Sequence, residues 1–435
     1  MITLWCELAW LGGEHAAPGV VIEIVGDHIH SVTPNVADAP DGSQHLNGLT
    51  LPGFANAHSH AFHRALRGRT HGGTGTFWTW REVMYGVASS IDPDGYYRLA
   101  RAVYGEMVLA GFTSVGEFHY LHHGPGGVPY ANPNAMGESL IAAAHDAGIR
   151  LTLLDTCYLH GGIGTDLNTV QQRFADANVD AWSARVAALS HGPDLRIGAA
   201  VHSVRACTPS EISDVASWAV GRPLHTHVSE QPAENQACLD AYRQTSVGVL
   251  VDAGAVSPQF SAIHATHLTD ADIAGLRGAT VCFCPTTERD LADGIGPARR
   301  LLDAGAAVSI GSDSHAVIDP FEETRAIELN ERLHRGTRCN IGVAALLDAA
   351  TRAGHRSIGW DDTGTITAGA LADLVTVSLA SVRLAGTRPT DVLAAVVFGA
   401  SPADVTHVMV GGRAIVIDSE HHSIDVAAEL AAVLS

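Results

Sequence analysis

Two histidines close an apolar run near the start of the chain, in Leu51-Pro52-Gly53-Phe54-Ala55-Asn56-Ala57-His58-Ser59-His60. Residues two apart in a strand point to one face. Both imidazoles can therefore reach one metal ion. A second strand-like run carries His225-Thr226-His227, and a third, Ser309-Ile310-Gly311-Ser312-Asp313, ends in a carboxylate. Three histidines and an aspartate on separate strand ends point to a catalytic metal site. Zinc suits imidazole nitrogen plus one carboxylate, with a position left for water whose pKa falls to about 7 on binding. Glu230 lies three residues after His227. A carboxylate there can move protons between water, a substrate nitrogen and a leaving group; the plainer reading is a helix N-terminal acid ahead of Gln231-Pro232.

Positioning such a set requires several strands that end at one face. Apolar runs near 49–57, 113–120, 150–158, 195–204, 223–230, 260–267, 279–285 and 307–314 alternate with helical patterns. Asp92-Pro93 and Thr208-Pro209-Ser210-Glu211 are helix starts, each with a cap and a first-turn proline. Eight strand–helix repeats predict an α/β fold, a (β/α)8 TIM-like barrel over 51–365, with catalysis at the C-terminal strand ends. An open doubly wound sheet is weaker, because no Gly-rich turn follows the first strand. On the barrel, His58 and His60 fall on strand 1, His202 on strand 4, His227 on strand 5, His264 on strand 6 and Asp313 on strand 8. His225 is expected to line the barrel, with His145, His191 and His421 at the surface. Residues 1–50 and 366–435 alternate apolar and polar, with a hairpin signal at Gly26-Asp27. They predict a small β-sandwich domain built from both termini.

Composition narrows the chemistry. The chain has 435 residues, 46% apolar, and a net charge of −20. That charge argues against nucleic acid or an anionic membrane as partner. All 26 basic residues are arginine. A carboxylated lysine bridging two metals is therefore excluded, and a mononuclear site is favoured. Seven cysteines without a Cys-x-x-Cys fit free thiols. With no secretory pattern and no membrane-length apolar run, a cytoplasmic location is expected.

The motifs His58-Ser59-His60-Ala61-Phe62, Phe77-Trp78-Thr79-Trp80-Arg81-Glu82, Glu117-Phe118-His119-Tyr120 and His202-Ser203-Val204-Arg205 carry a family resemblance. So do His227-Val228-Ser229-Glu230-Gln231, His264-Ala265-Thr266-His267, Cys284-Pro285-Thr286-Thr287-Glu288 and Gly311-Ser312-Asp313-Ser314-His315. The chain resembles the deaminases of the amidohydrolase superfamily, and within them the formimidoylglutamate deiminases. The resemblance implies one divalent metal, typically zinc, held by His58, His60, His227 and Asp313. It implies Glu230 and His264 around the reactive water, with Asp313 able to accept its proton. It implies Arg81, Tyr120, His202 and Arg205 as substrate contacts, on a small dicarboxylate amidine. A homodimer is a family-level expectation. Where the family usually carries glutamine this chain has His63, expected to border the pocket and to become a pure donor below about pH 6.5. Arg289-Asp290 is a second departure. Two other readings stay open: an aminohydrolase for a ring amidine such as guanine, and a non-catalytic barrel used for assembly.

Overall fold

The computed structural model describes residues 1–72 and 75–434. Four strands, β1 (Ile2–Ala9), β2 (Ala17–Val25), β3 (His28–Thr33) and β4 (Gln44–Pro52), open the chain. Eight parallel strands follow: β5 (Phe54–Ser59), β6 (Phe112–His119), β7 (Arg150–Cys157), β8 (Leu195–Ser203), β9 (Leu224–Val228), β10 (Phe260–His264), β11 (Thr280–Phe283) and β12 (Ala307–Ile310). Then come β13 (Leu374–Val377), β14 (Val405–Val410), β15 (Arg413–Ile417) and β16 (Glu420–His421). The first and last groups form one sheet in the order β16-β15-β14-β13-β4-β1-β2-β3. Leu4, Ile22, Leu46, Leu374 and Met409 share its core. The middle eight form a nearly closed barrel ringed by helices, as the eight apolar runs predict.

The expected run 49–57 divides at Gly53 between the two sheets. A Cβ there would meet the Thr113 side chain at 2.2 Å, so only glycine fits where the chain crosses.

Six helices matter for the site. They are α1 (Phe77–Ser90), α2 (Pro93–Leu109), α3 (Val179–Val186), α4 (Pro209–Trp218), α5 (Pro232–Tyr242) and α6 (Pro285–Asp290). Asp92 caps α2 by accepting from the Gly95 N–H, and Thr208 with Glu211 forms a full capping box on α4. Both starts are where the sequence signals put them. The barrel closes between β5 and the segment after β12. There the Asp313 N–H donates to the His58 carbonyl at 3.0 Å, and the His60 N–H donates to the Asp313 carbonyl at 3.3 Å. The seam that closes the barrel therefore fixes His58, His60 and Asp313 against one another.

Candidate metal centre and the cavity around it

His58 is the penultimate residue of β5 and His60 the first residue after it, His227 is the penultimate residue of β9, and Asp313 follows β12. Their donor atoms converge. His58 Nε2 lies 3.1 Å from His227 Nε2, and Asp313 Oδ1 lies 3.4 Å from both His58 Nε2 and His60 Nε2. His60 Nδ1 donates to the Phe118 carbonyl and His227 Nδ1 to the His202 carbonyl, each at 2.9 Å. Those two bonds fix the tautomers of His60 and His227, so their Nε2 atoms present lone pairs toward His58 Nε2 and Asp313. Burial lowers the pKa of all three imidazoles, His58 to about 3, and keeps them neutral. Asp313 is held below the carboxylate range: burial pushes it up, and the facing imidazoles outweigh that. Converging lone pairs beside a buried carboxylate are unfavourable alone and suited to a cation. The residues present therefore fit a divalent metal.

Two titratable groups face this cluster. His264 Nε2 lies 3.7 Å from Asp313 Oδ2 and 3.8 Å from Glu230 Oε1. Behind it, Nδ1 faces Glu288 Oε1 at 3.4 Å. Burial alone would lower His264, yet Glu230, Glu288 and Asp313 together raise it well above its usual value. Burial pushes Glu230 up to about 7, against the pull of His264 and Arg205. Ser229, His264, Ala265, Asp313 and His315 all sit at positive φ. Non-glycine residues held there cost roughly 1–3 kcal/mol each and cluster at functional sites.

The cavity over the cluster is lined by His63, Arg81, Tyr120, His202 and Arg205, along with Trp80, Tyr85, Tyr158, His160 and Phe174. Of the sequence-predicted site residues, all but His58 border this cavity; His58 lies fully buried behind it, against His227 and Asp313. Arg81 comes from α1, with its guanidinium 4.5 Å from the Trp78 ring centroid. His63 Nε2 pairs with Tyr120 Oη at 2.9 Å. Burial and the neighbouring His60 push His63 well below its ordinary pKa. It stays neutral, so the switch expected near pH 6.5 is displaced to stronger acid. Arg289 pairs with Glu322 at 2.9 Å, while Asp290 bonds His71 at 2.6 Å; neither borders the cavity. His225 Nε2 donates to the Ser357 carbonyl inside the barrel, away from the cluster. The sequence assigned no role to Glu234, nor to Glu117 and Glu288, although the last two lie inside the motifs that carry the family resemblance. Glu117 accepts from Ser59 Oγ at 2.6 Å and from the Ala61 N–H at 2.7 Å, steadying the β5 end. An acid inside an apolar strand was its signal.

The amidohydrolase family model matches residues 49–415. The chain is 35% identical to a formimidoylglutamate deiminase of Pseudomonas aeruginosa, over 97% of this chain and 96% of that one. The chain belongs to the amidohydrolase family. As a member it is a hydrolase of the deaminase group, and the assembly-only alternative drops out. It is also 28% identical to an 8-oxoguanine deaminase of Pseudomonas aeruginosa, over 97% of this chain and 93% of that relative. Among solved structures, an amidohydrolase from Brucella melitensis superposes with a TM-score of 0.91 at 32% identity, covering 100% and 99% of the two chains. An adenosine deaminase from Xanthomonas campestris, solved with bound zinc, shares the fold with a TM-score of 0.85 at 23% identity, over 99% and 96% of the chains. No helix among the described residues is long and apolar enough to cross a membrane.

Proposed function

We propose that this amidohydrolase is a cytoplasmic deiminase of histidine degradation, with one zinc ion, converting N-formimidoyl-L-glutamate to N-formyl-L-glutamate. The balance is R–NH–CH=NH plus water giving R–NH–CHO plus ammonia. The observation that carries the reading is the pair Arg81 and Arg205 in the wall of the cavity that also holds the donor cluster. Guanidinium groups grip carboxylates bidentately, and this substrate has two. His58, His60, His227 and Asp313 would hold the metal. When bound, it would supply Lewis acidity and make water nucleophilic near neutral pH.

Glu230 is raised toward neutrality by burial. That suits a group that takes a proton from the attacking water and returns it to the departing nitrogen. His264 is kept charged by three carboxylates. It offers Nε2–H to the developing charge, and its own charge faces Asp313 Oδ2 at 3.7 Å. Tyr120 and His202 orient the acid end, and His63 helps through its bond to Tyr120.

A ring amidine is the second reading, favoured by the aromatic wall of Trp80, Tyr85 and Phe174. Comparing kcat/KM for formimidoylglutamate and 8-oxoguanine in wild type and Arg205→Met separates the two. The acid reading expects Arg205→Met to cost about 2–5 kcal/mol on formimidoylglutamate. Unchanged capture would transfer support to the ring substrate.

A further inference from the structure

Arg205 has a buried acid behind it. Glu234, in the first turn of α5, is 3% exposed. Its Oε1 accepts the Ser229 N–H at 2.9 Å and the Ser246 hydroxyl at 3.2 Å. Its Oε2 accepts no hydrogen bond and faces Arg205 Nε at 3.1 Å. On that side the buried carboxylate is answered by Arg205 alone. A buried charge is tolerated only when so paired.

The contact falls on a particular edge of the guanidinium. Nε is the inner edge, next to the side-chain stem. The contact is ionic, with no hydrogen bond from Nε, and it leaves the outer Nη1 and Nη2 for the cavity that Arg205 lines. These two nitrogens form the fork that meets a carboxylate with two parallel hydrogen bonds. Arg81 lacks such an anchor. Its guanidinium stacks between Trp78 and Tyr85, at 4.5 and 5.5 Å from the ring centroids, and no acid pairs with it among the described residues. The two arginines therefore differ in how far they are set before a ligand arrives.

We propose that Glu234 is a positioning residue that sets the Arg205 fork for a substrate carboxylate, making it a determinant of selectivity for acidic amidines. The proposal rests on the deiminase reading for its substrate class. Two effects oppose each other. Glu234 removes rotational freedom that Arg205 would otherwise lose on binding, and it also places a negative charge behind the fork. Preorganisation prevails, because the substrate carboxylate meets the far edge, with the guanidinium between the two anions.

The test is a double-mutant cycle read by glutarate binding to the metal-loaded protein, in wild type, Glu234→Gln, Arg205→Met and the double variant. Glutamine keeps the Oε1 acceptor for Ser229 and Ser246, and it replaces the anionic Oε2 that faces Arg205 with an amide NH2 that carries no charge and cannot accept from Nε. Glu234→Gln should weaken glutarate about ten-fold, or about 1.4 kcal/mol, and have little further effect once Arg205 is methionine. In turnover it should raise KM for formimidoylglutamate with kcat kept within about two-fold. A purely structural role would lower kcat through the neighbouring Glu230 segment. Unchanged or tighter glutarate binding, or additive effects, would overturn the proposal while leaving the deiminase reading intact. A wild type that binds no dicarboxylate would overturn both.

Discussion

Two clusters of histidine and aspartate, one at the barrel-mouth cavity and one between the barrel strands and the outer helices, have opposite characters. In one, His58, His60, His227 and Asp313 turn lone pairs and a carboxylate oxygen toward a common point. In the other, His119, His122 and Asp155 also bring donor atoms within 4.8 Å of one another. There the cation is already present. Arg185 grips both Asp155 oxygens, at 2.8 and 2.9 Å, and reaches Asp176 at 2.8 Å. Trp182 Nε1 adds a donor to Asp155 at 3.1 Å, and His123 faces Asp176 at 3.3 Å. His122 Nε2 donates to the Thr156 carbonyl, which leaves Nδ1 to accept from His119. Residue type alone does not separate a metal site from a structural network. What separates them is whether the carboxylate already has its counter-charge and the imidazole lone pairs already have their donors.

The largest effect that would break this comparison comes from Asp313→Asn. We expect it to lose metal by more than the roughly 10–100-fold typical of removing a group that only supports a ligand, and to lose turnover with it. Elemental analysis and ammonia release check this, with His122→Asn as the counterpart that keeps full metal content. Next, Glu230→Gln should retain metal and fold while losing about 10²–10⁴-fold in kcat. Near-normal kcat in the metal-loaded variant would remove Glu230 from the proton path.

Arg185→Met sharpens the other half. Breaking a buried pair from one side typically costs about 3–5 kcal/mol, so denaturant melts should show a large loss of stability at unchanged metal stoichiometry. Its pH signature follows from the same charges. Burial pushes Asp155 and Asp176 up, and the arginine and histidines outweigh it, so both sit below the ordinary carboxylate range. A depressed carboxylate stabilises the fold above its unfolded pKa of about 3.9. That stability is lost as pH falls through the folded value. The share of the Tm that these two carboxylates supply should therefore be intact above about pH 4 and lost below it, added to the decline that sets in below about pH 6.5 because the buried His58, His60 and His227 are held neutral. In Arg185→Met the acid-side decline should begin at higher pH.

The smallest effect belongs to His63→Gln. His63 is neutral across the working range because burial lowers it. The swap should change kcat/KM by only a few-fold, with superimposable profiles between about pH 5.5 and 7.5 (around histidine's reference value). Diverging profiles would mean that His63 titrates after all.

The barrel strands were legible because parallel strands are buried on both faces and read as continuous apolar runs. Caps at Asp92 and Thr208 were legible because they depend on local hydrogen bonds alone. The candidate ligands could be read because they end strands, at positions a barrel brings to one face. Glu234, Glu288 and Arg185 were not. Their roles depend on partners 29, 24 and 30 positions away in sequence, which no periodicity reports. The break at Gly53 was missed because both flanking strands are apolar and differ only in which sheet receives them.

The central claim is that the donor cluster and the two arginines share one reaction. Metal-loaded protein should be incubated with N-formimidoyl-L-glutamate in ¹⁸O-labelled water and the product followed by mass spectrometry. The account predicts N-formyl-L-glutamate with a single ¹⁸O in its formyl group and one equivalent of ammonia. No turnover of this substrate, with ammonia instead released from 8-oxoguanine by the same preparation, would contradict it.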